Sequence, residues 1–144
     1  MKKTIAIGSD HAGFACKQKV LEFLQQDGYE IEDFGTHSEE SVDYPDYVHP
    51  IAKRIYSSPE IRGIIICGSG QGVSITANKY AHIRAALAWM PEIAAIARKH
   101  NDANVLCIPG RYISIEMSID CVRAFLETEF EGGRHQLRIS KIPI

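Results

Sequence analysis

The 144-residue chain has only four cysteines, at positions 16, 67, 107 and 121, and none belongs to a C-x-x-C pair. Cysteines so scattered argue against a zinc cluster or a disulfide framework and leave free thiols. No apolar run approaches the ~18 residues of a membrane span, no segment is of low complexity, and no period recurs as it would in a solenoid. Neither G-x-G-x-x-G nor G-x-x-x-x-G-K-S/T occurs, so NAD or ATP binding is a weak reading. The formal net charge of −2 offers no broad basic field for nucleic acid. A strand pattern follows Met1-Lys2-Lys3 directly, with no signal-peptide pattern, and a cytoplasmic setting is expected.

With 45% apolar and 24% charged residues, the chain has the balance of a globular protein. Its length suits one domain over residues 1–144 that buries roughly 68–70% of its unfolded surface. Strand patterns fall at Thr4 to Ser9, Tyr29 to Phe34, Gly63 to Cys67, Arg84 to Ala88 and Asn104 to Ile108. Between them lie helical stripes. Phe14, Val20, Leu21 and Leu24 precede Gly28 as a C′ residue; Val48, Ile51, Ala52 and Ile55 end at Ser57-Ser58-Pro59; Gly72 to Tyr80 follows the third strand. Pro91 opens a helix to His100, and Ser114 caps one to about Glu127. Strands alternating with such helices require a mostly parallel sheet with right-handed crossovers. The expected fold is a three-layer α/β/α sandwich around a Rossmann-like five-stranded parallel sheet. The tail 130–144 mixes cations with Leu137, Ile139 and Ile142 and is expected to dock on a partner subunit.

The densest chemistry lies in Gly63-Ile64-Ile65-Ile66-Cys67-Gly68-Ser69-Gly70-Gln71-Gly72-Val73, a buried-strand pattern running into a cysteine and three alternate glycines. Cys67 would end a strand, where open α/β sheets bind ligands, with loop amides facing an oxyanion or phosphate. A free thiol ionising near pH 8.5 is only about 3% thiolate at neutral pH, and a helix N-terminus supplying up to ~2 kcal/mol would bring it to about pH 7. The plain alternative is packing at a strand end, the role expected for Cys16, Cys107 and Cys121. A Cys-x5-Arg phosphate loop is excluded because Val73 stands where the arginine would be. Ile65 is too large for a glutaminase elbow; His100 beside Asp102 keeps a Cys/His hydrolase open as an alternative.

Asp10 ends the first strand on the same edge and suits sugar hydroxyls, or a capping role. His100-Asn101 closes the fourth helix. Arg134 and Arg138, four apart, would share a face of a helical tail and suit a phosphate dianion, and Arg111 adds a cation after strand five.

Taken together these segments resemble the ribose-5-phosphate isomerase B family, which includes allose- and galactose-6-phosphate isomerases. The matching pieces are Gly8-Ser9-Asp10-His11-Ala12-Gly13-Phe14, Asp43-Tyr44-Pro45, Cys67-Gly68-Ser69-Gly70-Gln71-Gly72, Ala77-Asn78-Lys79, His100-Asn101-Asp102-Ala103-Asn104-Val105-Leu106, Gly110-Arg111 and Glu131-Gly132-Gly133-Arg134-His135-Gln136. The resemblance implies aldose–ketose isomerisation of a phosphorylated sugar through a cis-enediolate, with neither metal nor organic cofactor. It implies that Cys67 moves the proton between C1 and C2, that His100 opens the furanose ring, and that the amides from Gly68 to Gly72, with Ser69, hold the enediolate. Asp10, His11, Tyr44 and Asn101 would contact the sugar, and Arg111, Arg134 and Arg138 the phosphate, with His11 close by. Relatives lacking the cysteine carry a glutamate just after the glycine loop; Val73 stands there and Cys67 is present, which implies the cysteine-based version. A homodimer with shared sites, often paired into tetramers, is implied as well. Ribose 5-phosphate is the expected substrate, with a 6-phosphohexose isomerase or a catalytically silent sugar-phosphate-binding module as alternatives; no nucleic acid or membrane partner is expected.

Overall fold

The computed structural model describes residues 2–144. Five strands form one sheet: β1 Thr4–Ser9, β2 Glu30–Asp33, β3 Arg62–Cys67, β4 Ala85–Leu87 and β5 Val105–Pro109. Every pairing is parallel and the order is β2-β1-β3-β5-β4. The chain winds outward from β1 to β2, returns past β1 to β3, and continues to the other side. The switch point therefore falls between β1 and β3, where a crevice opens at the carboxyl edge.

Six α-helices accompany the strands: α1 Phe14–Gln26, α2 His49–Ser57, α3 Gln71–Ala77, α4 Pro91–Asn101, α5 Ile115–Glu127 and α6 Arg134–Ser140. Alternation along β3 sorts its side chains into two cores. Ile64 and Ile66 join Ile5, Ile7, Val20, Leu24, Ala94 and Phe125 under α1, α4 and α5. Ile65 and Cys67 join Ala6, Ile51, Ile55, Val73 and Cys107 under α2 and α3. A parallel strand covered on both faces must be apolar throughout, which is why Ile64-Ile65-Ile66 is unbroken. The expected three-layer sandwich is borne out.

Boundaries follow local chemistry. Gly28 adopts a φ of 83° just past α1, the left-handed C′ position. Ser114 Oγ accepts the Met117 N–H at 3.0 Å and caps α5. Helix α3 ends at Ala77, short of the expected Tyr80, because the Asn78 side chain pairs with both backbone groups of Ala85, at 3.0 and 2.9 Å. Two elements were missed in the sequence: a 3₁₀ turn at Tyr44–Tyr47 and α6 itself. Both begin beside special backbone, Pro45 in one case and Gly132-Gly133 at φ of 73° and 59° in the other.

Lys17 is fully buried and places its ammonium 2.7 Å from Asp33 Oδ1. The same oxygen accepts the Gly35 N–H at 2.9 Å. Gly35 in turn accepts the Ser9 N–H, and Thr36 donates to Ser9 O, both at 2.8 Å. This pair, buried at its ammonium end, thus ties the end of β2 to the end of β1, directly before Asp10.

All four cysteines are free and buried. Burial pushes the thiols of Cys16, Cys107 and Cys121 up, that of Cys121 to about 11. These three are core packing, as the sequence suggests. A thiol harder to ionise in the folded state stabilises the fold below its unfolded pKa and loses that contribution as pH rises toward the folded value. The urea midpoint is expected to fall as pH rises above about 8.5, and to fall less steeply in Cys121→Ala than in wild type; equal slopes would contradict this.

Candidate active site

The carboxyl edge gathers the ends of β1, β3 and β5. Beyond the regular ladder, Gly110 donates to Cys67 O at 2.9 Å and Arg111 to Gly68 O at 3.0 Å. The two loops are therefore zipped together, and the Arg111 side chain crosses over Gly68: a Cβ on that glycine would lie 3.3 Å from Arg111 Cδ and 3.6 Å from Nη1. On the other side, Asp10 donates through its N–H to Ile66 O at 3.3 Å. Gly13 packs so tightly on β3 that a Cβ would stand 2.5 Å from Ile66 O.

Within this frame Asp10 Oδ1 accepts the Gly13 N–H at 3.0 Å. One carboxylate oxygen thus serves the turn into α1, and the side chain is only 7% exposed. His11 Nδ1 accepts the Val42 N–H at 3.1 Å. That bond assigns the ring proton of neutral His11 to Nε2. Gly70 takes the left-handed conformation, φ 74°, and turns the chain into α3. Ser69 Oγ accepts the Gln71 N–H at 3.3 Å. The Tyr44 ring lies on Gly72, where a Cβ would meet it at 2.5 Å; a side chain at 72 would push Tyr44 off the loop. Cys67, 5% exposed, ends β3 directly before this loop. Asp10, His11, Tyr44, Cys67, the Gly68–Gly72 loop and Arg111 therefore share one edge.

His100, Asn101, Arg134 and Arg138 do not join them. Helix α4 runs back against the strands, so its last residues reach the amino edge: Asn101 O accepts Arg84 Nε at 2.9 Å, directly before β4. The five residues of β5 separate the edges by roughly 15 Å. At this second place α6 packs on α4, and a cleft of about 400 Å3 is lined by His100, Asn101, His135, Arg138, Ile139 and Ile142. His135 stacks on His100 with ring centroids 4.2 Å apart and planes 12° apart. Burial first, then the His100 and Arg134 charges, lowers the His135 pKa, against an opposing pull from Glu131. The Asp102 carboxylate is committed to Arg98 at 2.8 Å and Arg84 at 3.3 Å. It does not orient His100, and the Cys/His hydrolase reading loses its third member. Grouping Arg111 with Arg134 and Arg138 around one phosphate is likewise not met within a single chain. His135 went unassigned in the sequence; the signals for it were its place in the motif Glu131-Gly132-Gly133-Arg134-His135-Gln136 and its position beside Arg134.

A doubly wound parallel sheet with a glycine loop, a carboxylate and a thiol at its switch point defines a Rossmann-like small-ligand protein. The family model for Ribose/Galactose Isomerase matches residues 5–142, and the chain belongs to that family. Ribose-5-phosphate isomerase B of Escherichia coli (strain K12) is 43% identical over 97% of this chain and 94% of its own. A ribose 5-phosphate isomerase structure from Thermotoga maritima superposes with a TM-score of 0.96 at 51% identity, covering 99% of this chain and 98% of that one. Ribose-5-phosphate isomerase B from Mycoplasma genitalium, solved with bound ribulose-5-phosphate, gives a TM-score of 0.94 at 40% identity over 99% and 95% of the two chains.

The glycine contacts make an ordered prediction. Gly13→Ala forces a methyl against strand backbone that cannot yield and should cost ~1–3 kcal/mol, whereas Gly72→Ala meets the tip of a Tyr44 ring that is 39% exposed and can swing out. Urea denaturation should rank Gly13→Ala below Gly72→Ala; the reverse order would contradict the packing described.

Proposed function

We propose that the chain is an aldose–ketose isomerase interconverting ribose 5-phosphate and ribulose 5-phosphate, working in the cytoplasm as a homodimer or a dimer of dimers. The observation that carries this reading is full-length family membership combined with the placement of Cys67-Gly68-Ser69-Gly70-Gln71-Gly72 at the switch point. In the forward direction, His100 exchanges a proton with the ring oxygen and the anomeric hydroxyl, giving the open aldehyde. Cys67, as the thiolate, then takes the proton from C2, and the electron pair of that bond forms the C1–C2 double bond as the C1 carbonyl oxygen becomes an oxyanion, giving the cis-enediolate. The C2 hydroxyl passes its proton to the C1 oxygen as the Cys67 thiol returns its own to C1, which yields the ketone, restores the thiolate and leaves the proton count unchanged. The N–H groups of the 68–72 loop, with Ser69, face the enediolate oxygens; one well-placed donor of this kind contributes about 3 kcal/mol to the transition state. Asp10, His11, Tyr44 and Asn101 hold the sugar, and Arg111, Arg134 and Arg138 hold the phosphate.

Because Cys67 and His100 lie on opposite sheet edges of one chain, the reading requires a second copy, whose His100, Asn101, Arg134 and Arg138 face the first copy's Cys67. A twofold dimer supplies both exchanges at once. Leu137, Ile142 and Ile144 are exposed along the tail, 61% in the case of Leu137, and Ile142 lines the His100 cleft; a partner covering the 130–144 tail would bury them.

Turnover of ribose 5-phosphate is the test, with allose 6-phosphate as the competing substrate. Cys67→Ala is expected to lose at least about 100-fold, and His100→Asn to fall as well. Refolding equal amounts of the two variants together should restore about one quarter of the wild-type rate, since half the dimers are mixed and one of their two sites is intact. An active wild type with a silent mixture would refute the shared site. A wild type that turns over neither sugar would refute the isomerase, and preference for allose 6-phosphate would move the substrate to the hexose class.

A further inference from the structure

On the amino edge, His100 converges with two side chains, Glu131 and His135, to which the isomerase chemistry gives no part. His100 lies in the last turn of α4, His135 in the first turn of α6, and Glu131 in the connection between α5 and α6. One ligating atom from each lies within 4.8 Å of the others. The connection is pinned to α4 by the Glu131 N–H, which donates to Lys99 O at 3.1 Å, so the three residues are fixed relative to one another by backbone. His135 is 5% exposed, and its Nε2 is buried without a hydrogen-bond partner, 3.7 Å from Glu131 Oε1. A buried polar atom left unpaired is costly, and the Glu131 carboxylate beside it offers electron pairs only.

We propose that His100, Glu131 and His135 form a binding site for a divalent cation of the zinc class, and that its occupancy inhibits the enzyme by taking His100 out of the reaction. The second half rests on the isomerase reading given above; the first does not. Two imidazoles and one carboxylate select zinc, cobalt, nickel or copper over magnesium and calcium, which prefer all-oxygen sites. Tetrahedral zinc with bonds of about 2.0–2.1 Å places its ligand atoms roughly 3.3 Å apart. Closing from 4.8 Å takes rotation of Glu131, whose side chain is 56% exposed, and of the half-buried His100, whose ring must leave its near-parallel stack on His135 so that both in-plane lone pairs can meet at one ion. Three protein ligands leave a fourth position for water. Arg134 and Arg138, on the helix that carries His135, oppose a cation and limit its affinity. Such a site suits a reversible inhibitor more than a resident structural metal. An imidazole that holds a metal through its nitrogen has no lone pair left to exchange a proton with a sugar ring.

The test is a titration of the full-length protein with cobalt(II) followed by its visible d–d absorption, repeated for His135→Ala and Glu131→Gln. Wild type should bind one cobalt per chain with the intense band of a tetrahedral site, and zinc should displace it. Each variant should bind at least about tenfold more weakly. Glu131→Gln changes an exposed loop side chain and keeps the question open should His135→Ala fail to fold. In parallel, zinc should inhibit ribose 5-phosphate turnover reversibly with EDTA, and less so in each variant relative to its own metal-free rate. Absence of the tetrahedral band in wild type, or an unchanged band in Glu131→Gln, overturns the site. A thiolate charge-transfer band lost in Cys67→Ala would show the metal held by the Cys67 that a second copy brings to His100 rather than by Glu131 and His135, and would overturn the site equally. Binding without inhibition overturns the regulatory half alone. Absence of any isomerase activity would refute the functional reading while leaving the spectroscopic result to stand by itself.

Discussion

Every strand of this sheet runs in the same direction, and the distribution of its chemistry depends on that constraint. In a parallel sheet each loop leaving a strand lies on the carboxyl edge, and each loop leaving a helix lies on the amino edge. Residues that follow strands, namely Asp10, His11, Cys67 to Gly72 and Arg111, must therefore meet. Residues that close a helix, His100 and Asn101, must lie at the far side. No adjustment of side-chain rotamers can bring the two sets together across the length of β5. If both act on one sugar, a second chain is required.

The carboxyl edge is assembled with little spare room. Gly13 lets α1 start in contact with the β3 backbone, Gly70 turns the loop with a positive φ, and Gly72 admits the Tyr44 ring. The buried Lys17–Asp33 pair holds the 33–36 loop against Ser9. Removing Asp33 would leave the fully buried Lys17 ammonium unpaired, which is far more damaging than the pair's net contribution to stability. Rigidity at this edge suits a reaction in which the loop amides must already point at a charge that develops only in the transition state.

The amino edge is built differently. Its anchors are the Arg98 and Arg84 contacts to Asp102 and to the backbone of Asn101 and Ala103. These hold the end of α4 while leaving His100 free to stack on His135. The histidine pair is orientated by packing rather than by a carboxylate, in contrast to the His–Asp arrangement that the neighbouring sequence positions suggest.

Hydrophobic periodicity, helix caps and turn residues are local properties, and the sequence by itself determined what depends on them: five strands, the alternation with helices, the parallel sheet, and the placement of Cys67 before a glycine loop. The motif likeness was legible too, because Asp10-His11, Cys67 to Gly72 and His100-Asn101 are contiguous runs. Helix α6 and the 3₁₀ turn escaped, being short elements whose start is set by Gly132-Gly133 and Pro45 rather than by a long stripe. Only the tertiary structure decided which of the candidate residues share an edge, since the β2-β1-β3-β5-β4 order and the direction of α4 are global. It likewise decided that Asp102 serves arginines and that His135 meets His100 and Glu131, because those contacts join segments whose proximity no local pattern encodes.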